Sequence, residues 1–292
     1  MAVDCVSTLP TARELHLRAA RVREGLAACT LCEHRCGVDR LANGRGPCGL
    51  GAESHIFKRH VSFAEEVDLL PSYMVYFAGC NFRCRFCVQA PDCFDPRRGV
   101  RAEAGPVVAD LRAKVARGAR TINLLGGEPS IHLHTLLEIA AADAEACESG
   151  GMERLPLFLN SNMYMTPGVI EALRGVVTGY IADFKFGNDG CAATVAGISR
   201  YTEVVKRNLL DAASGARVIV RHLVMPGHLE CCLRPVANWL AEHLSEADFT
   251  LMHGYSPSWR AVGDGTLGRC CTPREVEDAE AIVRSSGVRR SA

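Results

Sequence analysis

Three cysteines, Cys80, Cys84 and Cys87, fall within eight residues in the stretch Gly79-Cys80-Asn81-Phe82-Arg83-Cys84-Arg85-Phe86-Cys87. Three and then two residues separate them, and a loop of that length can curl three thiolates around one soft metal centre. Thiolates favour iron–sulfur clusters or zinc. No fourth cysteine follows at the same spacing. In a cubane cluster this leaves one iron open to a further ligand, whereas a structural zinc site would need Cys93 or a histidine to complete it. Arg83 and Arg85 make the loop polar, which argues against three inert buried thiols. A second group, Cys29, Cys32, Cys36 and Cys48, lies among Gly- and Arg-rich turns, with His34 as a further donor. Four soft ligands without a vacancy suit a closed site, either structural zinc or an auxiliary iron–sulfur cluster. Cys5, Cys147 and the adjacent pairs Cys231-Cys232 and Cys270-Cys271 read as free thiols, although each pair could reach a second cluster or do redox chemistry.

Elements that could position the three-cysteine loop follow from residue 72 onward. Short apolar runs at Tyr73–Ala78, Thr121–Leu125, Leu157–Asn160, Gly179–Asp183, Arg217–Leu223 and Phe249–His253 read as strands. Helical segments alternate with them at Pro106–Arg117, Leu133–Glu148, Pro167–Arg174, Arg200–Ala213, Pro235–Leu244 and Pro273–Ser286. Thr166-Pro167 and Thr272-Pro273 read as helix starts, with a threonine cap and proline in the first turn. Six strand–helix repeats indicate an α/β fold with a parallel sheet buried on both faces, and its site belongs just past the strand ends. Residues 1–70 form an N-terminal Cys-rich segment, with an amphipathic helix at Thr11 to Leu26, and residues 71–292 form the strand–helix part.

Each remaining strand end carries polar groups. Gly126-Gly127-Glu128-Pro129 combines two glycines that admit close backbone approach with a carboxylate able to accept from an ammonium. Asn160-Ser161-Asn162 suits ribose hydroxyls or simple loop capping. Asp183-Phe184-Lys185 offers an oriented cation, and Arg221 offers two-pronged carboxylate recognition. His253, Tyr255 and Trp259 follow the last strand, where substrate contacts are expected.

Together these segments resemble the radical S-adenosylmethionine (SAM) superfamily, whose signature is three cysteines at this spacing with an aromatic residue before the last. The resemblance implies that Cys80, Cys84 and Cys87 hold a [4Fe–4S] cluster, that its open iron binds SAM, and that Phe86 lies near the adenine. It also implies that Gly126, Gly127 and Glu128 meet the SAM amino group. Asp183, Lys185, Arg221 and Pro226-Gly227 are similar to elements of the pyruvate formate-lyase activating enzymes. The likeness is greatest to a little-characterised branch that also carries an N-terminal Cys-rich segment. It spans roughly Cys29 to Pro257 and implies a partial (β/α)6 TIM-like barrel. After the third thiol the chain reads Val88-Gln89-Ala90-Pro91 rather than Gln-Asn, and the stretch to Val107 has no room for a two-cluster insert. The reaction expected is reductive SAM cleavage to a 5′-deoxyadenosyl radical that abstracts hydrogen from a small-molecule or amino-acid-like substrate. A flavodoxin- or ferredoxin-type protein would supply the electron. The alternatives are an activase acting on a glycyl radical enzyme and a zinc-stabilised binding protein without catalysis.

Composition narrows the class further. With 33 basic and 33 acidic residues the chain has no net charge, which speaks against a nucleic-acid surface. No run approaches the roughly 18 apolar residues of a membrane span, and Met1 to Leu15 lacks the pattern of a signal peptide. A cytoplasmic protein is expected, in which 15 cysteines serve metals or chemistry rather than disulfides.

Overall fold

The computed structural model describes residues 9–64, 66–150 and 153–291. Helix α1 (Ala12–Glu24) starts at a reciprocal cap between Thr11 and Glu14. It buries Ala12, Leu15 and Ala19. Strand β1 (His55–Ser62) then runs antiparallel to β2 (Ser72–Ala78), and the two-residue β3 (Val100–Arg101) pairs with its outer edge. From β2 onward strands and helices alternate: α2 (Ala104–Val115), β4 (Thr121–Gly126), α3 (Leu133–Gly150), β5 (Leu157–Ser161), α4 (Pro167–Leu173), β6 (Gly179–Asp183). Helices α5 (Asp189–Ala196) and α6 (Tyr201–Ala213) precede β7 (Arg217–Leu223), which is followed by α7 (Arg234–His243), β8 (Asp248–Met252) and α8 (Pro273–Ser286).

The eight strands make one sheet in the order β3-β1-β2-β4-β5-β6-β7-β8, and the six from β2 to β8 are parallel. This is a partial TIM-like barrel. All seven residues of β2 are buried, as a strand covered on both faces requires. The sheet stays open. Its β8 edge is met by the C-terminal tail, where Phe249 donates to the Arg289 carbonyl (2.9 Å) and accepts from the Ser291 N–H (2.9 Å).

Sequence reading places the six parallel strands and misses β1, β3 and α5. Strand β1, with the sequence HIFKRHVS, buries only Ile56 of its eight residues, so it carries no apolar run. The segment before residue 70 therefore supplies more than a cysteine knot. It gives the sheet an antiparallel strand and lays α1 along α3. Pro273 starts α8 behind a Thr272–Glu275 capping box as expected. Thr166 precedes Pro167, but its hydroxyl donates to the Thr30 carbonyl (2.9 Å) and ties α4 to the N-terminal segment instead of capping the helix.

Candidate active site

The C-terminal ends of β2, β4, β5, β6 and β7 converge on one cavity of about 360 Å³. Cys80, Cys84, Cys87 and Phe86 face it from the loop after β2, and Gly126, Gly127, Asn160, Asn162, Asp183, Lys185 and Arg221 face it from the neighbouring strand ends. Met74, Tyr76, Leu125, Leu223 and Met252 form an apolar wall. Residues as much as 182 positions apart in the chain, Met74 and Ser256, thus line one cavity.

Glycine sets the approach of the first two loops. A Cβ on Gly127 would lie 2.0 Å from the Gly79 carbonyl oxygen, and one on Gly126 would lie 2.4 Å from the backbone of Phe77. Gly126 also has φ +121°, a region where an L side chain is strained. The main chains are consequently in direct contact: Gly127 donates to Phe77 (2.8 Å) and Glu128 to Gly79 (2.9 Å), while Gly79 donates to Cys93 (2.7 Å). The far side of the cysteine loop docks on the end of α5, with Arg83 donating to Ala196 (3.1 Å) and Arg85 to Val195 (2.9 Å).

Burial sets the electrostatics of two of the three thiols. It pushes Cys80 well up and Cys84 up to about 12, the latter opposed by the nearby Lys185 ammonium. Cys87 is pulled down to about 7, because the Cys93 thiol 3.6 Å away hydrogen-bonds to it and outweighs its burial. Cys93 is buried and is not among the residues facing the cavity, so three thiols face it and a fourth stands behind. Lys185 forms an ion pair with Asp183. Burial works against its charge, but Asp183 and then Cys84 overcome that and hold the ammonium above its ordinary range. Phe86 is buried edge-to-face against Tyr255, with ring centroids 6.0 Å apart.

Some expected site residues are placed behind the wall. Glu128 is fully buried and accepts from Ser161 Oγ (2.7 Å), Asn162 N–H (2.8 Å) and Ser130 N–H (3.0 Å). Neither Glu128 nor Ser161 faces the cavity; together they lock the end of β5 to the glycine loop. Asn162 donates to Asn81 Oδ1 (2.7 Å) and accepts from the Tyr164 N–H (3.0 Å). Arg221 makes its two-pronged pair with a residue of this same chain, Glu66, at 2.9 and 2.6 Å. Glu66 carried no signal in the sequence, since it belongs to no motif, and Asn81 lies inside the cysteine motif but nothing in the spacing singles it out from the residues around it. Tyr255 faces the cavity, but His253 pairs with Glu280 (2.8 Å) and Trp259 packs on Phe94.

The model of the Radical SAM superfamily matches residues 74–240, which is 57% of the chain. An uncharacterized protein of Methanocaldococcus jannaschii, MJ0674, is 34% identical over 259 residues, covering 86% of this chain and 72% of the relative. The chain belongs to the radical SAM superfamily. Radical SAM proteins are enzymes that use a [4Fe–4S] cluster and SAM, and this chain shares that chemistry. In fold it is similar to Streptococcus suis SuiB, solved bound to the precursor peptide SuiA, at 15% identity and a TM-score of 0.52 over 73% of this chain. The chain spans about 45% of SuiB. A domain of a pyruvate-formate lyase-activating enzyme from Bacteroides vulgatus also aligns, at 12% identity and a TM-score of 0.44 over 57% of this chain and 95% of that domain.

The radical SAM cofactors fit the donors present. Three thiols face a cavity that also offers a paired cation and a glycine-lined main chain. The N-terminal group gives a further test. Cys29 and Cys48 are buried, Cys32 is half-buried and Cys36 is exposed. Beside them Arg40 is 1% exposed and reaches the Cys29 sulfur at 3.8 Å. Its Nε and Nη1 donate to the carbonyls of Gly51 (2.9 Å) and Ile131 (2.8 Å), while its Nη2 is buried without a partner. A buried cation with an unused donor among four thiols suits an anionic metal–thiolate group, zinc or iron–sulfur alike. This group sits on the active-site end of the barrel: His34 bonds the Asn81 carbonyl (2.8 Å), and Glu33 N–H donates to Tyr164 (3.3 Å). Among the described residues, no helix is long and apolar enough to cross a membrane.

Proposed function

We propose that Cys80, Cys84 and Cys87 hold the [4Fe–4S] cluster and that SAM lies along the strand ends from Gly126-Gly127 to Lys185. Hydrogen is then taken from a small-molecule or amino-acid-like substrate held against the apolar wall. The observation that carries this reading is that three thiols and polar groups from four further strand ends face a single cavity. A bound cluster supplies the electron that cleaves SAM and yields the hydrogen-abstracting 5′-deoxyadenosyl radical.

The chain's own residues bind and orient. The glycine pair lets the loop after β4 press against the loop after β2, which brings its main chain to the cavity wall. Asp183 keeps Lys185 charged, so the ammonium can meet the SAM carboxylate. Asn162 is committed to Asn81 and Tyr164, so the ribose falls to Asn160. Phe86, fixed by Tyr255, gives the adenine an apolar face. Glu128 and Ser161 act at one remove, by holding Asn162 and the glycine loop in register. The Arg221–Glu66 pair fixes the far wall rather than a ligand carboxylate. Cys29, Cys32, Cys36 and Cys48 hold a second, closed metal group over the mouth of the barrel. A flavodoxin- or ferredoxin-type protein delivers the electron.

The test is anaerobic reconstitution with iron and sulfide, a metal count, and assay of 5′-deoxyadenosine with SAM and dithionite. Deoxyadenosine with about eight irons per chain makes both groups clusters, and about four irons with one zinc makes the N-terminal group structural. One deoxyadenosine per molecule of an added glycyl radical enzyme would replace the small substrate by that protein. A colourless zinc protein without SAM cleavage would overturn the reading.

A further inference from the structure

Cys191, Cys231 and Cys232 come from two separate loops, and their sulfurs lie within 4.8 Å of one another. Among the described residues no other group of three or more Cys, His, Asp or Glu side chains meets that distance. Cys191 sits in the first turn of α5, after β6, and the vicinal pair sits in a single π-helical turn, Leu229–Leu233, after β7. The wide turn places both sulfurs of adjacent residues towards α5: Cys191 to Cys231 is 3.8 Å, and Cys231 to Cys232 is 3.9 Å.

The surroundings hold that arrangement. Asn188 caps α5 by accepting from the Cys191 N–H (2.8 Å), and its amide nitrogen donates to the Cys231 carbonyl (2.8 Å) and to the Cys191 sulfur (3.2 Å). Gly187 lets the two loops touch, because a Cβ there would lie 2.6 Å from the Cys232 carbonyl oxygen. Cys232 is fully buried, whereas Cys191 and Cys231 open on a second cavity of about 520 Å³ that is lined also by His228, Arg85 and Asp264.

We propose that Cys191, Cys231 and Cys232 form a mononuclear zinc site, distinct from the two cysteine groups described above, with its fourth position open to this second cavity. The distances match a single ion: thiolates about 2.3 Å from one tetrahedral centre lie about 3.8 Å apart. Such spacing leaves no room for a multi-iron cluster between the sulfurs. Binding releases the thiol protons to solvent and leaves three protein ligands with a water, the arrangement of an open zinc site. The ion would clamp α5, on whose C-terminal end the Cys80–Cys87 loop docks through Arg83 and Arg85. The site stands whether or not that loop carries the cluster proposed for it.

The test uses the full chain after iron–sulfur reconstitution, so that the other thiol groups are already loaded. One equivalent of Zn²⁺ is added anaerobically, the protein is pulsed with iodoacetamide, and each cysteine is quantified by peptide mass spectrometry. Labelling of Cys191 and Cys231 should slow about tenfold or more, because a ligated thiolate is a poor nucleophile. Exposed Cys270 should label unchanged, as an internal control. In Cys191→Ser, a variant at a half-buried position that should fold, Zn²⁺ should no longer protect Cys231. Labelling indifferent to Zn²⁺ in the wild-type chain would overturn the proposal. So would full protection of Cys231 retained in Cys191→Ser, or protection that appears only on oxidation and is reversed by a reductant.

Discussion

The Cys80–Cys84–Cys87 loop and the Cys191–Cys231–Cys232 group each gather three thiols at the C-terminal end of the barrel, but their geometry differs. The first comes from one loop, spreads its sulfurs around a cavity and faces polar groups from four more strands. The second joins two loops and keeps its sulfurs within 4.8 Å. Sulfur spacing decides nuclearity, since a wide set can surround a cluster with several metals whereas a tight one can take only a single ion. Similar donors at one end of one sheet can therefore serve different metals, and α5 physically links them.

The sharpest break in this comparison is Cys84→Ala. It should take iron from the wide set and lower deoxyadenosine formation to background, while circular dichroism and Zn²⁺ protection at Cys231 stay as in the wild type. Gly127→Ala comes next. The added methyl meets the Gly79 carbonyl, so the glycine and cysteine loops must part; a loss of about 3 kcal/mol in denaturant unfolding is expected, with lower iron retention. Cys32→Ala should loosen only the N-terminal knot, seen as roughly tenfold faster amide hydrogen exchange over residues 29–50, with iron at Cys80–Cys87 kept.

A further effect is one of pH. Burial pulls His134 and His222 down to about 4 from an ordinary 6.5. In the unfolded chain these imidazoles take protons as the pH falls below 6.5, but in the folded chain they do not until about 4. Stability should therefore be full above 6.5 and decline as the pH drops from 6.5 towards 4. Thermal unfolding across that range checks the direction; a melting temperature that rose on acidification would contradict it. His222 bonds the Phe184 carbonyl (2.7 Å), one residue before Lys185, so its protonation acts beside the candidate site.

Much of the wide site was legible because its donors are local. Three cysteines in one loop, two glycines after the next strand and a lysine after a later one each leave a mark in sequence, and strand periodicity places them at one end. What escaped was non-local. Glu66 meets Arg221 across 155 residues, and Cys191 meets Cys231 across 40. Neither spacing has a period, and Gly187, which brings the latter pair together, reads as an ordinary turn glycine. Glu128 illustrates a different failure. Its position beside the glycines was readable, but whether a carboxylate points into a cavity or back at Ser161 depends on side-chain packing that no motif encodes. Strand β1 was missed for a third reason, since it pairs with β2 and β3 through its edges while burying only Ile56, so it carries no apolar pattern.

The ends of the sheet also limit how other proteins can meet this one. An open barrel exposes backbone donors and acceptors along its last strands, a natural template for a foreign strand and for self-association. Here one end stops at a strand of two residues, Val100–Arg101, and at the other both hydrogen-bonding groups of Phe249 are taken by the tail. Both features shorten the backbone edge open to a foreign strand, so a partner docking at the mouth would meet mostly side chains and loops, and its binding should respond to surface charge.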